Sequence, residues 1–448
     1  MHLALIAMSG IRALDTELLG LGLTLPGFVE RSKTIASLPS LGLLTLAGQV
    51  PPWITMTYHE CPDTAAVAAL PERPDLVAIS TFSAQVGEAY ALADAYRARG
   101  VPVVMGGPHV SVLPDEALRH ATTVVIGEGE LVWPQVLADA ERGALQPRYG
   151  RLGVAFDLAQ SPLPRIDLLD LSRYNRLTVQ TSRGCPHRCE FCASTPLMTA
   201  GYRMKPQARI LAEIDQIRAR WPRPFIEFAD DNSFVDRPAW KRLLPELAKR
   251  DVPWFTETDI SIADDLELVG MLRDAGCRQV LIGLESPVAA GLSGIELRGD
   301  WKRRRLDRYA GAIRLLQSHG ISVNGCFILG LDGQDNSVFD EVLAFVRSSG
   351  LAEVQVTVQT AFPGTALYHR LHDAGRLLEP QAWDRCTLFD INFTPTHLRV
   401  EELRAGLHRL VTTLYSADET AARRRSFRDM HRTGRAASRG RGVATSVD

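Results

Sequence analysis

The 448-residue sequence lacks the hydrophobic segments that direct a chain into or across a membrane. No run of 18 apolar residues occurs, so no membrane-spanning helix is predicted. Residues 1–10 lack the basic region with which a secretory signal begins, and their apolar stretch is short. We therefore expect a cytoplasmic protein without a membrane span.

Cysteine is also scarce. The seven cysteines are an odd number and are scattered except for one cluster, which excludes a disulfide framework and favours a reducing compartment. The four isolated ones are interpreted as buried structural residues: Cys61, Cys277, Cys326 and Cys386. Apolar residues make up 46% and charged residues 23%, which excludes collagen, coiled coil and wholesale disorder. At about 150 residues per domain, the length predicts two or three domains.

The net charge of -2 conceals a basic C-terminus. Residues 421–448 contain eight arginines and two aspartates, with many small residues and one aromatic residue, Phe427. A basic tail can bind nucleic acid. This composition favours the other interpretation, a disordered tail that contributes to solubility, and no nucleic-acid partner is expected.

Residues 1–145 alternate short apolar runs with amphipathic stretches. Continuous apolar runs of this length, each followed by a helix, predict a parallel sheet covered on both faces, which is a doubly wound, Rossmann-like α/β domain. The predicted strands lie at about 3–8, 54–57, 76–80, 102–105 and 123–126, and the clearest helix is Ala84 to Arg99. Residues 146–174 lose this periodicity and include Ser161-Pro162-Leu163-Pro164, so they are predicted to be a linker.

Residues 175–360 again alternate strands with helices. Six strand–helix units are too few for an eightfold barrel, so a partial, TIM-like (β/α)6 barrel is predicted. Its strands are expected at about 177–181, 224–228, 253–257, 279–283, 322–329 and 353–358. Its helices are expected at 208–219, 238–250, 264–275, 306–318 and 337–348. Residues 361–420 form a C-terminal helical extension, with an amphipathic helix predicted over Val400–Tyr415.

The clustered cysteines follow the first barrel strand as Cys185-Pro-His-Arg-Cys189-Glu-Phe-Cys192, a C-x3-C-x2-C spacing. Three such thiolates can ligate three corners of one iron–sulfur cube and leave the fourth iron open. The alternatives are a zinc site and three buried thiols. A zinc site requires a fourth ligand at matching spacing. His187 lies inside the loop, and no downstream histidine or cysteine stands at a spacing that would pair with it.

This motif on a partial barrel resembles the radical S-adenosylmethionine (SAM) superfamily. The resemblance implies a 4Fe-4S cluster on the three cysteines and SAM chelated to the open iron. Reductive cleavage of SAM would then give a 5'-deoxyadenosyl radical, and Phe191 would lie near the adenine. A small-molecule substrate and a flavodoxin- or ferredoxin-type electron donor are also implied.

The ends of the later barrel strands carry residues at positions resembling those that contact SAM in the family. They are Asp230 and Asp231 after the second strand, Glu257 in the third, Glu285 and Ser286 after the fourth, and Gly330 after the fifth. The Gly-Gly-Glu usual after the second strand is replaced here by acidic and amide groups, which can still accept hydrogen bonds from an ammonium.

The first domain resembles the cobalamin-binding domain that precedes many radical SAM barrels. Small residues follow three of its strands, where a doubly wound sheet binds its ligand: Ser80, Thr81, Gly106, Gly107 and Gly127. The D-x-H-x-x-G motif that supplies a histidine to cobalt is missing, because residues 9–25 contain no histidine. Cobalamin bound without a histidine ligand is therefore implied, and His109 is interpreted as a loop residue rather than a metal ligand.

The leading hypothesis is a cobalamin-dependent radical SAM C-methyltransferase acting on an unactivated carbon of a lipid or secondary metabolite. The segment 384–395 resembles the C-terminal extension of such enzymes. One alternative is a radical SAM cyclase, rearrangement or oxidative enzyme in which cobalamin is absent or donates no methyl group. A non-catalytic Fe-S or corrinoid carrier and a transfer-RNA methylthiotransferase are weaker hypotheses. The latter needs three further N-terminal cysteines, whereas only Cys61 precedes the cluster.

Overall fold

The computed structural model describes residues 1–10, 13–21, 38–62, 70, 73–197 and 200–443, and it describes side chains as far as residue 434. The chain divides into two compact units. The first unit comprises Met1–Asp15, Thr34–Pro224 and Thr360–Phe393. The second unit comprises Thr16–Lys33, Phe225–Gln359 and Thr394–Asp448. These units follow a different division from the predicted domain boundaries, which stay predictions.

The first unit contains a six-stranded parallel sheet in the order β2-β1-β3-β4-β5-β6. Its strands are β1 (His2–Met8), β2 (Thr55–Cys61), β3 (Leu76–Ser80), β4 (Val103–Gly106), β5 (Thr123–Ile126) and β6 (Arg148–Gly150). The predicted doubly wound sheet is thereby confirmed. Residues predicted as linker include β6, which has only three residues and no apolar run to reveal it.

Alternate residues of β1 face opposite sides of this sheet, as the period of two in a strand requires. Ala4, Ile6 and Met8 belong to a buried cluster with α3 (Val86–Ala98). Leu3, Leu5 and Ala7 belong to a second cluster with α2 (Leu41–Ala47) and α6 (Trp133–Glu141). The short helices α4 (Pro108–Val112) and α5 (Pro114–Ala117) connect β4 to β5. Apolar side chains on both faces explain why the strands are continuous apolar runs.

After β7 (Leu177–Val179), two short strands frame the cysteines. The strands β8 (Ser182–Arg183) and β9 (Arg203–Met204) pair antiparallel, and the cysteine loop connects them. We call these strands and their connection the cysteine hairpin, residues 182–204. It leads into α7 (Gln207–Arg220), where a buried ion pair joins Lys205 Nζ to Glu213 Oε1 at 2.6 Å.

Five strands of a second sheet lie in the second unit. The five are parallel, in the order β14-β13-β12-β11-β10. They are β10 (Ile226–Phe228), β11 (Trp254–Thr258), β12 (Cys277–Glu285), β13 (Ser322–Leu329) and β14 (Glu353–Val358). The helices of this unit are α1 (Thr16–Gly20), α8 (Arg237–Ala248), α9 (Leu266–Asp274), α10 (Ala289–Leu292), α11 (Tyr309–Ser318) and α12 (Val338–Ser349).

An aromatic cluster fills the space between the second sheet and α8. The ring of Trp240 lies 5.6 Å from that of Phe228 and 6.0 Å from that of Trp254, and all three side chains are fully buried. Because strand residues alternate, the neighbouring Glu227 faces the opposite side of the sheet from Phe228. That opposite face carries the polar residues of the candidate site.

The C-terminal extension includes α13 (Ala366–Asp373) in the first unit, and α14 (Val400–Leu414) and α15 (Ala417–Val443) in the second. The predicted helix over 400–415 agrees with α14. The prediction of a disordered tail from residue 421 is wrong as far as residue 443, because α15 continues through it. Arg423 is buried and donates to the Leu414 carbonyl at 2.7 Å, a polar anchor that an apolar pattern does not reveal. Residues 444–448 lie outside the described residues.

No described helix is both long enough and apolar enough to cross a bilayer.

Candidate functional site

Glycine lets the cysteine hairpin close. Gly184 has a φ of 93°, and a Cβ atom there would lie 2.6 Å from the Gly201 carbonyl oxygen. An L-residue would meet both the unfavourable left-handed φ and a clash with the opposite strand. Beyond the hairpin, the Lys205 amide donates to the Thr181 carbonyl at 2.7 Å. The cysteines therefore sit on a loop with a fixed base.

The three clustered thiols are in no disulfide. Cys189 is buried, whereas Cys185 and Cys192 are partly exposed. Among the described residues, the three sulfurs do not all lie within 4.8 Å of one another, as ligands of one zinc ion would. A 4Fe-4S cube presents a separate iron at each corner, so three thiols spread along one loop fit it better than they fit a single ion.

Glu190, inside the motif, ties the loop to α13. Its carboxylate accepts hydrogen bonds from Arg370 Nε at 3.0 Å and Nη2 at 2.6 Å, a bidentate pair. Its carbonyl accepts from the Leu367 amide at 3.0 Å. Phe191, the predicted neighbour of the adenine, is half-buried beside it. Sequence reasoning missed Arg370 because it lies 180 positions away along the chain.

The predicted cobalamin residues lie at the carboxyl edge of the first sheet. The Thr81 amide donates to the Gly106 carbonyl at 3.3 Å, and a Cβ on Gly107 would lie 2.6 Å from the Thr81 carbonyl oxygen. The strand ends after β3 and β4 thus approach closely, which places Ser80, at the end of β3, beside Gly106. Phe82 is 59% exposed at this edge. Small residues beside an exposed aromatic side chain fit a large planar ligand.

Gly127 stands at the next strand end, after β5. Its φ is 80°, and a Cβ there would lie 2.8 Å from the Arg151 carbonyl oxygen. Its amide donates to Ser111 Oγ at 3.0 Å. The loop after β5 is therefore held on both sides, and its glycine cannot be replaced without strain.

His109 lies in α4 and is fully buried. Its Nδ1 is 3.0 Å from Ser83 Oγ and its Nε2 is 3.2 Å from Glu116 Oε1. Both ring nitrogens have partners within the first unit. The interpretation of His109 as a loop residue is wrong, because the residue lies in α4. Burial alone would raise the pKa of Glu116, but hydrogen bonds from His109, Tyr90 and Trp383 outweigh it and lower that pKa. Trp383 thereby ties the C-terminal extension to this domain.

A group of carboxylates lies on the polar face of the second sheet. Burial, together with the negative charges of Glu227, Asp231 and Asp230, raises the pKa of Glu257 to about 7. The Glu257 side chain is nevertheless exposed to solvent. The structure thus brings the predicted residues Asp230, Asp231 and Glu257 into one electrostatic group. Sequence reasoning missed Glu227 as a site residue, but the registry Glu227–Phe255 places it on the face of Glu257.

The two neighbouring aspartates differ in environment. Asp230 is buried and accepts a hydrogen bond from Ser233 Oγ at 3.0 Å, while Asp231 is exposed. Next to them, Asn232 Nδ2 donates to Asp259 Oδ2 at 2.8 Å. The loop after β10 is therefore fixed by its own polar contacts, with Asp231 accessible to a ligand.

Glu285, at the end of β12, is held in an unusual conformation. Its φ is 61° and its side chain is buried. Lys302 Nζ donates to Glu285 Oε1 at 2.7 Å and to the Gly283 carbonyl at 2.8 Å. A Cβ on Gly283 would lie 2.5 Å from Glu285 Oε1. Ser286 is fully buried, and its Oγ accepts from the Val288 amide at 3.3 Å. The sequence did not single out Lys302, which lies 17 positions further along the chain.

The loop after β13 is organised by Gln334, another residue that sequence reasoning missed. Gln334 Oε1 accepts from the amides of Gly330 at 2.8 Å and Leu331 at 3.1 Å, and its Nε2 donates to the Ile328 carbonyl at 2.9 Å. Gly330 has a φ of 87°, as a turn at the strand end requires. Cys326 precedes this loop and is only partly buried, so the prediction of a buried residue is wrong at this position. Its pKa is raised by burial and by the charges of Glu285 and Glu257, so its thiol stays protonated.

Comparison with known families assigns a domain to most of this chain. The profile of the radical SAM superfamily matches residues 179–346, and that of the B12 binding domain matches residues 38–137. A domain of unknown function (DUF4070) matches residues 365–445.

Several curated proteins are similar over most of this chain. An uncharacterized methyltransferase of Synechocystis is 29% identical, covering 80% of this chain and 67% of its own. The hopanoid C-2 methylase of Rhodopseudomonas palustris is 27% identical, covering 77% and 66%. Among solved structures, the radical SAM methyltransferase TsrM from Kitasatospora setae, with cobalamin and a [4Fe-4S] cluster bound, has a TM-score of 0.67. It is 15% identical and covers 98% of this chain and 99% of its own, so it supports the fold.

Together these matches agree with the predicted fold class and with the predicted radical SAM and B12-binding domains. The individual cofactor contacts stay predictions.

Proposed function

This chain is a radical SAM enzyme with a B12-binding domain, and we propose that it transfers a methyl group to an unactivated carbon of a lipid or secondary metabolite. When bound, the cluster and SAM supply a carbon-centred radical, and cobalamin supplies the methyl group. The protein's part is to bind, orient and shield these groups.

One observation carries the proposal. The cysteine hairpin and the glycine-lined edge of the first sheet lie in the same compact unit. A radical enzyme that did not use cobalamin would not need both features in one body. The names of similar proteins support methyl transfer: hopanoid C-2 methylase and bacteriochlorophyllide d C-8(2)-methyltransferase of Chlorobaculum tepidum, the latter 26% identical over 324 residues.

In this proposal Cys185, Cys189 and Cys192 hold the cluster. Glu190 and Arg370 fix the loop backbone, and half-buried Phe191 flanks the bound nucleoside. The first-sheet edge holds cobalamin without a histidine ligand, because His109 is already hydrogen-bonded at both nitrogens. The residues assigned to that edge are Ser80, Thr81, Gly106, Gly107 and Gly127.

SAM is a cation, and the carboxylates of the second unit suit it. Glu257 and Asp231 are accessible to solvent, and Asp230 is fixed beside them. We assign these three to the amino-acid part of SAM, and Glu285 with Ser286 and Gly330 to its ribose and adenine. The reducing electron is assigned to a flavodoxin- or ferredoxin-type protein.

A second candidate is radical chemistry without methyl donation. It is favoured by the similarity of an anaerobic magnesium-protoporphyrin IX monomethyl ester cyclase from Rubrivivax gelatinosus, 24% identical over 332 residues. A non-catalytic carrier is disfavoured, because a carrier has no need of a carboxylate group that suits a cation.

The optical spectrum of the full chain, purified anaerobically from cobalamin-fed cells, tests the proposal. We expect corrinoid bands from about one cobalamin per chain, together with the broad absorption of an iron–sulfur cluster. A chain that holds the cluster but retains no corrinoid would favour the second candidate. The matched variant Gly107→Val, which places side-chain atoms against Thr81, should lose corrinoid and keep iron.

A further inference from the structure

The loop after β5 carries two carboxylates to which the proposed function gives no role. Glu128 and Glu130 follow Gly127, and their side chains are only 14% and 10% exposed. Removing a carboxylate from water is costly unless a cation and further donors replace the water. The partners of these two groups therefore indicate what the loop is built to hold.

The charged partners of Glu128 and Glu130 are two arginines of the cysteine hairpin. Arg183 Nη1 lies 2.8 Å from Glu128 Oε2, and its Nη2 lies 2.7 Å from Glu130 Oε1. Arg203 Nη2 donates to Glu128 Oε1. The Phe156 amide also donates to Glu128 Oε2, at 2.9 Å. Glu128 thus binds one arginine from each strand that frames the cysteines.

The guanidinium groups are themselves fixed on their other sides. Arg183 Nη2 donates to Gln180 Oε1 at 3.0 Å, and Arg203 Nη1 donates to the Phe156 carbonyl at 2.8 Å. Planar arginine forks that bind two carboxylates hold a narrower geometry than single lysine contacts would. Burial opposes ionisation of Glu128, but the Arg203 hydrogen bond, the Phe156 amide and Arg183 lower its pKa, so the network is charged at neutral pH.

The loop after β5 therefore contacts both proposed cofactor sites. Gly127 lies at the edge assigned to cobalamin, and the next residue, Glu128, binds the two arginines at the base of the cysteine hairpin. Gly127 has little freedom, because its amide is bonded to Ser111 and its α-carbon faces the Arg151 carbonyl. A shift of the hairpin is thereby resisted by the sheet edge itself.

We infer that Glu128 is a positioning residue that sets the distance between the two cofactors by fixing the cysteine hairpin to the cobalamin-binding edge. The inference rests on the proposed function. Glu128 touches neither cofactor and acts through Arg183 and Arg203. Glu130 acts with it by holding the second branch of the Arg183 guanidinium.

The test compares wild type, Glu128→Gln and Asp167→Asn, each purified with both cofactors. The control Asp167→Asn removes a carboxylate that also binds an arginine, Arg165 Nη2 at 2.8 Å, in the same unit. Iron and cobalamin are quantified, and the EPR signal of cob(II)alamin is recorded with the cluster oxidised and reduced. The broadening caused by the reduced cluster depends on the distance between the two centres. Formation of S-adenosylhomocysteine from SAM is measured in parallel.

We expect Glu128→Gln to retain both cofactors but to change the broadening and slow S-adenosylhomocysteine formation by about tenfold, as loss of supporting contacts around metal sites does. Asp167→Asn should match wild type in both measurements. Unchanged broadening and rate in Glu128→Gln would overturn the inference. Should that variant not fold, Arg183→Lys keeps the charge but cannot bridge Glu128 and Glu130, and it must show the same change. A wild type without cobalamin would instead overturn the proposed function.

Discussion

The carboxyl group of Glu257, in the second unit, lies in an electrostatic group with three other carboxylates. Burial and three neighbouring carboxylates raise its pKa to about 7. Those neighbours, Glu227, Asp230 and Asp231, make the ionised form costly in the free protein. Under the proposed assignment of Glu257 to SAM, the bound cation relieves this repulsion, and we expect SAM binding to be coupled to loss of the Glu257 proton.

We predict that the affinity for SAM rises by about fivefold between pH 6 and pH 7, because the ionised fraction of a group with this pKa rises by that factor. The Glu257→Gln variant should bind more weakly and lose this dependence. Calorimetric titration in buffers of different ionisation enthalpy measures both the affinity and the released proton. A pH-independent affinity in wild type, with no proton released, would contradict the assignment of Glu257 to SAM.

The same pKa has a consequence for the ligand-free protein. A carboxyl group whose folded pKa is raised binds more protons in the folded than in the unfolded state between about pH 4.5 and pH 7. The contribution of Glu257 to the free energy of unfolding therefore falls as the pH rises through that window. Urea denaturation of wild type and Glu257→Gln should show a smaller loss of stability for the variant between pH 5 and pH 7.5.

Each of the three clustered cysteines is predicted to be required for binding of the iron–sulfur cluster. Replacing Cys185, Cys189 or Cys192 by alanine should abolish the cluster after anaerobic reconstitution, whereas wild type should bind about four irons. Cys386→Ala is the matched control, because that thiol is buried in the same unit and lies outside the motif. Full iron content in a variant that lacks all three cysteines would show that the site assignment is wrong.

Lys302 is predicted to be essential for the stability of the second unit. Lys302→Met leaves the buried Glu285 carboxylate without its counter-ion, which costs about 3–5 kcal/mol. Lys241→Met is the comparison, since Lys241 pairs with Glu267 near the surface, where solvent screens the pair, and its loss should cost much less. Equal free energies of unfolding for the two variants would contradict the described role of the buried pair.

Helix packing in the C-terminal extension depends on one small residue. Gly406 of α14 faces α12, and a Cβ there would lie 2.1 Å from Phe339 Cζ. Alanine is the better helix former by about 1 kcal/mol, but a clash this close cannot be relieved without moving one helix. The backbone of α14 approaches the phenylalanine ring closely for this reason.

We predict that Gly406→Ala lowers the free energy of unfolding by about 1–3 kcal/mol. Gly311→Ala, in the first turn of α11, should raise it by up to about 1 kcal/mol, because nothing lies within 4 Å of the added carbon. Thermal or urea denaturation of the two variants decides. Stabilisation by both substitutions would mean that α14 does not pack on α12 as described.

The strands were the most predictable elements. The runs at 76–80, 123–126, 322–329 and 353–358 agree with the bounds of β3, β5, β13 and β14, because each is a continuous apolar or alternating segment. The strand β6, Arg148–Gly150, was missed because it contains no apolar run. The helix α15 was missed because its stabilising contacts are polar, such as that of Arg423 with Leu414, and its composition resembles that of a disordered segment.

The chemistry of the candidate site was predictable where it is local in sequence. The cysteine motif and the strand-end carboxylates could be found because both their residue types and their places after predicted strands can be read from the sequence. Arg370, Lys302, Gln334 and the partners of Glu128 could not, because each meets its partner only through the fold. Such supporting residues need the three-dimensional arrangement to be recognised.

The chain as a whole combines two domains of ordinary α/β construction. Radical SAM and B12-binding domains occupy residues 179–346 and 38–137. The C-terminal extension belongs partly to each compact unit: α13 and Trp383 lie in the first, α14 and α15 in the second. The proposed function requires both domains to hold their cofactors in the same molecule.

Incubation of the fully loaded chain with SAM carrying a deuterated methyl group, under anaerobic conditions and with a strong reductant, tests the central claim most directly. We predict that S-adenosylhomocysteine and 5'-deoxyadenosine both form, and that the label appears on the protein's cobalamin. Formation of 5'-deoxyadenosine alone, with unlabelled cobalamin, would contradict methyl transfer by this enzyme.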